Sequence, residues 1–276
     1  MAMETLTAGH VRREASGLSW FEPVEPVGGV ARVVMTTRIG GGSREPYQSL
    51  NLGLHVGDVG ERVRLNRLAL QKALGRHLLE PVVGDQVHGH HAAAVGALHS
   101  GTRWQAQEAA LAATDALVTS TPRLPLVTLV ADCVPVALVD PYRKVAAAVH
   151  AGWRGLTGGV LESALGAMQR TAGTPAGDVV AWIGPAIGPC CYEVGPEVAR
   201  NFPESTAPSP DGGARSYLDL PDAVRRRLRG AGLLDENLAG LPLCTSCHPE
   251  LFFSHRRATR EGLTATGRQG MLVWLE

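Results

Sequence analysis

The sequence predicts one mixed α/β domain, and three observations carry that reading. Short β-rich runs (PVVGDQV, AAAV, ALVT, LPLVTLV, VPVALVD and KVAAAV) follow one another between Pro81 and Val149, punctuated by Gly, Pro and Asp. Helical patterns stand on both sides of this stretch, at about 58–74, 157–169 and 221–229. No repeat or low-complexity tract divides the 276 residues, a length suited to one large domain or two small ones.

Taken in order, the first 27 residues read as irregular, an edge or loose arm. Residues 1–30 are therefore set apart from a single domain over 31–276. Ala31–Thr37 reads as a strand, followed by the glycine-rich turn Gly40-Gly41-Gly42-Ser43. Asp58 with Glu61 three residues on resembles a capping box, opening a helix that ends near Leu74. After the β-rich stretch, Thr157–Gln169 reads as a helix and Val179–Ile183 as a buried strand. Pro203–Gly213 reads as a surface loop, and Asp219 caps a helix over 221–229. Leu251–Ser254 and Met271–Leu275 read as closing strands.

Composition excludes several function classes. With 26 basic and 26 acidic side chains the formal charge is zero, against a general nucleic-acid binder. The basic set is 24 Arg against two Lys (Lys72 and Lys144), which fits phosphate or carboxylate binding but equally a genomic bias. The longest apolar region, Leu124–Val139, is broken by Pro125, Asp132 and Pro135 and cannot be a membrane span. Five cysteines, an odd number, and no visible signal peptide point to a reduced, cytoplasmic protein.

Three polar residues stand where apolar runs end: His88, Cys133 and His150. Neighbouring strands would bring such ends together. Two imidazoles and a thiolate with an open fourth position suit a catalytic zinc, which lowers the pKa of bound water and supplies a nucleophile near pH 7. Two other readings stand beside this one: three separate buried residues, or a Cys133–His150 nucleophile–base pair. Cys244-Thr-Ser-Cys247-His248 matches a c-type haem motif or half a zinc knuckle. No partner pair is evident, so these cysteines read as structural. Neither a P-loop nor a dinucleotide fingerprint is present. Gly152-Trp153-Arg154-Gly155, leading into a helix, is a weak anion-seat pattern.

Several stretches together resemble one family. Among them are Thr36-Thr37-Arg38, Ser49-Leu50-Asn51-Leu52-Gly53, Asn66-Arg67, Gln86-Val87-His88-Gly89, Ala131-Asp132-Cys133-Val134-Pro135 and His150-Ala151-Gly152-Trp153-Arg154-Gly155. His55-Val56-Gly57-Asp58, Thr114-Asp115-Ala116-Leu117-Val118-Thr119, Gly184–Val194, Phe252–Arg257 and Gly267-Arg268-Gln269 complete the set. From about residue 36 to the C-terminus the chain resembles the YfiH/YlmD family, also called laccase-domain, multicopper polyphenol oxidase or peptidoglycan editing factor, and treated as purine nucleoside phosphorylases. The resemblance implies a compact α/β (α+β) domain with mixed β-sheets flanked by helices, not a Rossmann fold. It implies metal ligation by His88, Cys133 and His150, with Zn2+ expected and Cu2+ possible. It also implies phosphorolysis of adenosine, inosine and methylthioadenosine, with adenosine deamination. Arg67 is the family's further functional position and the first choice for phosphate, with Arg38, Arg154 and Arg256 as lesser candidates. Expected partners are purine nucleosides and phosphate, in a monomer or weak homo-oligomer. The rival readings are a copper-dependent phenol oxidase and a Cys133–His150 hydrolase of cell-wall precursors.

Overall fold

The computed structural model describes residues 9–106, 111–210 and 212–276. Two six-stranded sheets lie face to face, with helices on both outer faces. The chain opens with β1 (His10–Ala15) and β2 (Leu18–Pro23), joined by Ser16-Gly17, and continues into β3 (Ala31–Thr36). Helix α1 (Gly60–Leu74) follows, then β4 (Val82–Val83), β5 (Ala92–Ala94), β6 (Ala116–Thr119) and β7 (Leu126–Val130). Next come β8 (Val134–Asp140), β9 (Val145–Ala151), α2 (Trp153–Thr157), α3 (Val160–Ala172) and β10 (Val180–Ile183). The chain then forms β11 (Glu193–Val194), α4 (Pro196–Ala199), β12 (Thr206–Pro208), β13 (Ser216–Leu218) and α5 (Leu220–Gly230). It closes with β14 (Leu238–Gly240), α6 (His255–Arg260) and β15 (Gln269–Leu275).

The first sheet runs β1-β2-β3-β15-β7-β4 and the second β14-β10-β8-β9-β6-β5; a small third sheet runs β11-β13-β12. Both large sheets mix parallel and antiparallel pairs. Alternation along the strands explains the layers. On β8, Val134, Val136 and Leu138 face α3 and α5, whereas Ala137 and Val139 face the first sheet. β9 splits in the same way, with Val145, Ala147 and Val149 outward and Ala146 and Ala148 between the sheets. On the far side, Val34, Leu272 and Trp274 pack against Leu70 and Leu74 of α1. Each central strand is thus buried on both faces, which is why these stretches read as nearly unbroken apolar runs. No helix among the described residues is long and apolar enough to cross a membrane.

Five sequence expectations need correction. The irregular arm expected over 1–30 is, from His10 to Pro23, a hairpin at the edge of the first sheet; residues 1–8 lie outside the described residues. Its two-residue turn has positive φ at both Ser16 (53°) and Gly17 (79°), the geometry that suits strand twist. Asp58 makes no capping box: Val59 is the N-cap, and the Asp58 carboxylate accepts from the Val59 N–H (2.7 Å) and from Asn51 Nδ2 (3.0 Å). The helix expected over 157–169 is α3 and starts only at Val160, because Thr157 ends α2 and Gly158-Gly159, with Gly159 at φ 88°, separates the two. Leu251–Ser254 is not a strand. The Gln269 side chain takes the place of a neighbouring strand, accepting from Phe253 N–H (2.8 Å) and donating to Phe253 O (3.0 Å). Within the expected loop 203–213, Thr206–Pro208 pairs with β13.

Candidate metal centre

Sheet register brings the predicted residues to one rim of the sandwich. β7 belongs to the first sheet and β8 to the second, so Cys133 stands where the chain crosses between them. β4 and β5 are likewise in different sheets, and His88 lies on that crossing. His150 is near the end of β9, opposite Pro135 at the start of β8. The ligand atoms of His88, Cys133 and His150 all lie within 4.8 Å of one another. The two imidazoles meet edge-on, ring centroids 4.8 Å apart.

Asp115, immediately before β6, organises this cluster. Its carboxylate accepts from the backbone N–H groups of Val87 (3.2 Å), His88 (3.0 Å) and Gly89 (2.8 Å). Its Oδ1 also lies 2.8 Å from His150 Nδ1. That bond leaves the other imidazole nitrogen, Nε2, free to ligate, the carboxylate–histidine arrangement common at metal sites. Burial works against the Asp115 charge, but the bonds from His150, Gly89 and Val87 outweigh it and hold the carboxyl below its usual range. Burial also opposes a thiolate at Cys133, yet His150 and His88 bring the thiol down to about 6. Against its own burial, His150 is carried up to about 9 by Cys133 and Asp115.

Backbone detail protects the geometry. A Cβ at Gly152 would stand 3.0 Å from both Cys133 Sγ and His88 Cδ2, so glycine leaves the cluster its room. Asp132 holds φ 91°, a strained conformation for a residue with a side chain. It is locked there: its oxygens accept from Thr245 Oγ1 (2.7 Å) and Arg256 N (2.7 Å), and its own carbonyl accepts from Ile187 N (2.9 Å).

The three residues line a cavity of about 490 Å³, within the range for small-molecule sites. Its walls include His55, Gln86, Trp153, Ile187, Tyr192 and His255, with Arg154, Arg256 and Arg268. Arg154 is exposed and stacks on Trp153 at 4.4 Å. Arg256 donates to Glu193 O (2.6 Å) and lies 5.1 Å over Tyr192. Arg268 precedes β15, whose start pairs with the end of β7, and donates to the carbonyls of Thr266 and Gly267. Burial, with Arg268 and Arg67 nearby, lowers His55 to about 4; burial and the Cys133 charge raise Tyr192 to about 12. Both side chains are neutral near pH 7.

Two of the expected arginines do not line the triad's cavity. Arg67 is 2% exposed, and its guanidinium makes four hydrogen bonds to the carbonyls of Leu52, Arg103 and Trp104. It lines a cavity of about 140 Å³ that adjoins the triad's, the two sharing His55, Gln86 and Leu129, and its bonds to carbonyls leave it few donors for the phosphate expected there. Arg38 donates to Gln48 O and Pro249 O, stacks on Phe253, and also does not line the triad's cavity. Sequence reasoning did not single out Asp115, Asp132 or Arg268. Each sits in a stretch that carries the family resemblance, directly beside a strand end.

The chain matches a family described as multi-copper polyphenol oxidoreductase laccase over residues 32–276. It is 37% identical over 252 residues to purine nucleoside phosphorylase YlmD of Geobacillus stearothermophilus, covering 89% of this chain and 91% of that one. It is also 37% identical over 244 residues to purine nucleoside phosphorylase YfiH of Escherichia coli K12, covering 87% and 92%. The crystal structure of the Bacillus licheniformis hypothetical protein YfiH superposes with a TM-score of 0.86 at 33% identity, covering 96% of this chain and 99% of that one.

Proposed function

The chain belongs to the multi-copper polyphenol oxidoreductase laccase family, and on that premise we propose that it is a metal-dependent purine nucleoside phosphorylase. One observation carries the proposal: a His–Cys–His donor set lies in a nucleoside-sized cavity that three guanidinium-bearing residues also line. His88, Cys133 and His150 fit one ion, since Asp115 already orients His150 and the three ligand atoms converge. The donor set suits zinc with an open fourth position. When bound, the ion supplies a Lewis acid at the cavity wall.

The chain's own residues account for the remaining requirements. Phosphate oxygen attacks ribose C1′, the C1′–N9 bond breaks, and the purine leaves with the bonding electrons and takes up a proton. Arg154, Arg256 and Arg268 are the residues to hold phosphate, because charge-assisted bonds position it and offset its charge. Neutral Tyr192 and His55 can hydrogen-bond the purine without placing another charge beside it. Trp153, Ile187 and Leu220 give the cavity apolar surface for the base.

Deamination of adenosine at the same centre has less support. That reaction uses an acid to carry protons. Asp132, the one carboxylate among the residues lining the cavity, has both oxygens occupied by Thr245 and Arg256. Phenol oxidation by a multi-copper cluster would need further histidine clusters. Among the described residues the only other metal-binding group is made of cysteines alone. The test is incubation of the zinc-loaded protein with adenosine and phosphate, products read by mass. Adenine with ribose 1-phosphate, dependent on phosphate, is the expected result. Inosine as the sole product, or no turnover of adenosine, inosine or methylthioadenosine, would overturn the proposal.

A further inference from the structure

A second cluster of metal-ligating side chains lies outside this cavity. We propose that Cys190, Cys191, Cys244 and Cys247 bind one zinc ion as a structural tetrathiolate site, which ties together the two loops that build one cavity wall. β10 and β14 run parallel as neighbours, with Ile183 opposite Gly240, so the loops leaving them emerge side by side. They stay joined through Ala186 N to Leu243 O (3.3 Å) and Thr245 N to Ala186 O (2.9 Å). This places the Cys190-Cys191 pair against Cys244-x-x-Cys247 and supplies the second half of a zinc knuckle.

The geometry fits a single thiophilic ion. All four Sγ atoms lie within 4.8 Å of one another; Cys247 Sγ is 3.4 Å from Cys190 Sγ and 3.5 Å from Cys191 Sγ. Zinc–sulfur bonds of about 2.3 Å at tetrahedral angles put sulfurs roughly 3.8 Å apart. All five cysteines are free, so no disulfide competes for these thiols. Cys247 N–H closes a tight turn on Cys244 O (3.2 Å), and Gly188 N–H donates to Cys244 Sγ at 3.2 Å, a bond that favours thiolate. A tetrathiolate zinc carries two negative charges, and two arginines anchor to the same loops. Arg257 donates to the carbonyls of Thr245 and Ser246, and Arg260 to that of Cys191. The stapled segments carry Ile187 and Tyr192 into the cavity wall, while Thr245 secures Asp132 beside Cys133.

The test separates this ion from the one in the cavity. Cys133→Ala protein, purified under reducing conditions, is expected to keep one zinc per chain by elemental analysis, and adding C190S and C247S should remove it. A Cys133→Ala protein without zinc, or zinc that survives the added serines, would overturn the proposal. Should the serine variant fail to fold, cobalt substitution of the Cys133→Ala protein gives a separate readout. Thiolate-to-cobalt charge transfer with the intense visible bands of a tetrahedral tetrathiolate is expected, and their absence would overturn the site.

Discussion

Asp115 shapes the His–Cys–His cluster without belonging to it. Its carboxylate fixes the Nδ1 side of His150 and gathers three backbone N–H groups of the loop that carries His88. Asp115→Asn keeps the shape but can no longer hold His150 by charge. Metal affinity is expected to fall about 10–100-fold, as for other residues that orient a metal-ligating histidine; competition with a chromophoric chelator measures it. Cys133 makes a pH prediction. Its folded value, about 6, lies below the ordinary thiol value of about 8.5. The thiolate's contribution to stability is therefore complete above the ordinary value and is lost as pH falls through about 6. In metal-free protein the 240 nm thiolate absorbance should show a step near pH 6 that is missing from Cys133→Ala. If the two titrations coincide, the His150–Cys133 coupling is wrong.

At the scale of elements, the strands were the legible part. β3, β6, β8, β9 and β15 lie close to their apolar runs because two buried faces leave little room for polar residues. β1 and β2 were missed because Arg12, Arg13 and Glu14 on the edge strand β1, and Glu22 on β2, ion-paired with Arg13 and Arg32, hide the alternation. Strand ends were informative for the same reason: His150 breaks an apolar run, so His88, Cys133 and His150 could be found together. Arg67 could not be judged from sequence, since only packing shows that its donors are taken up by carbonyls. Trp182 of β10 tests the inter-sheet layer. It is 1% exposed, packs between the sheets, and its Nε1–H donates to His10 Nε2 at 3.0 Å on β1, an element absent from the sequence reading. Trp182→Ala should cost about 3–5 kcal/mol in denaturant unfolding. A cost under about 1 kcal/mol would mean that the two sheets are not packed as described.

For the whole molecule, the sandwich explains why the site is where it is. The β4–β5 and β7–β8 connections cross from one sheet to the other at the same rim, and antiparallel pairing brings the start of β15 and the end of β9 there as well. The crossings carry His88 and Cys133, and the neighbouring strand ends carry His150 and Arg268. Loops leaving β10 complete the wall with Ile187 and Tyr192. A cavity assembled from so many separate connections depends on both sheets at once, so chemistry and fold stability are coupled here. The central claim is that phosphorolysis depends on an ion held by His88, Cys133 and His150. Its most direct test is kcat/KM for phosphate-dependent adenine release by Cys133→Ala and by the parent protein, with metal content measured on the same samples. A fall of about 10²-fold or more, together with loss of the cavity's ion, is the predicted result. Full activity in Cys133→Ala would contradict it.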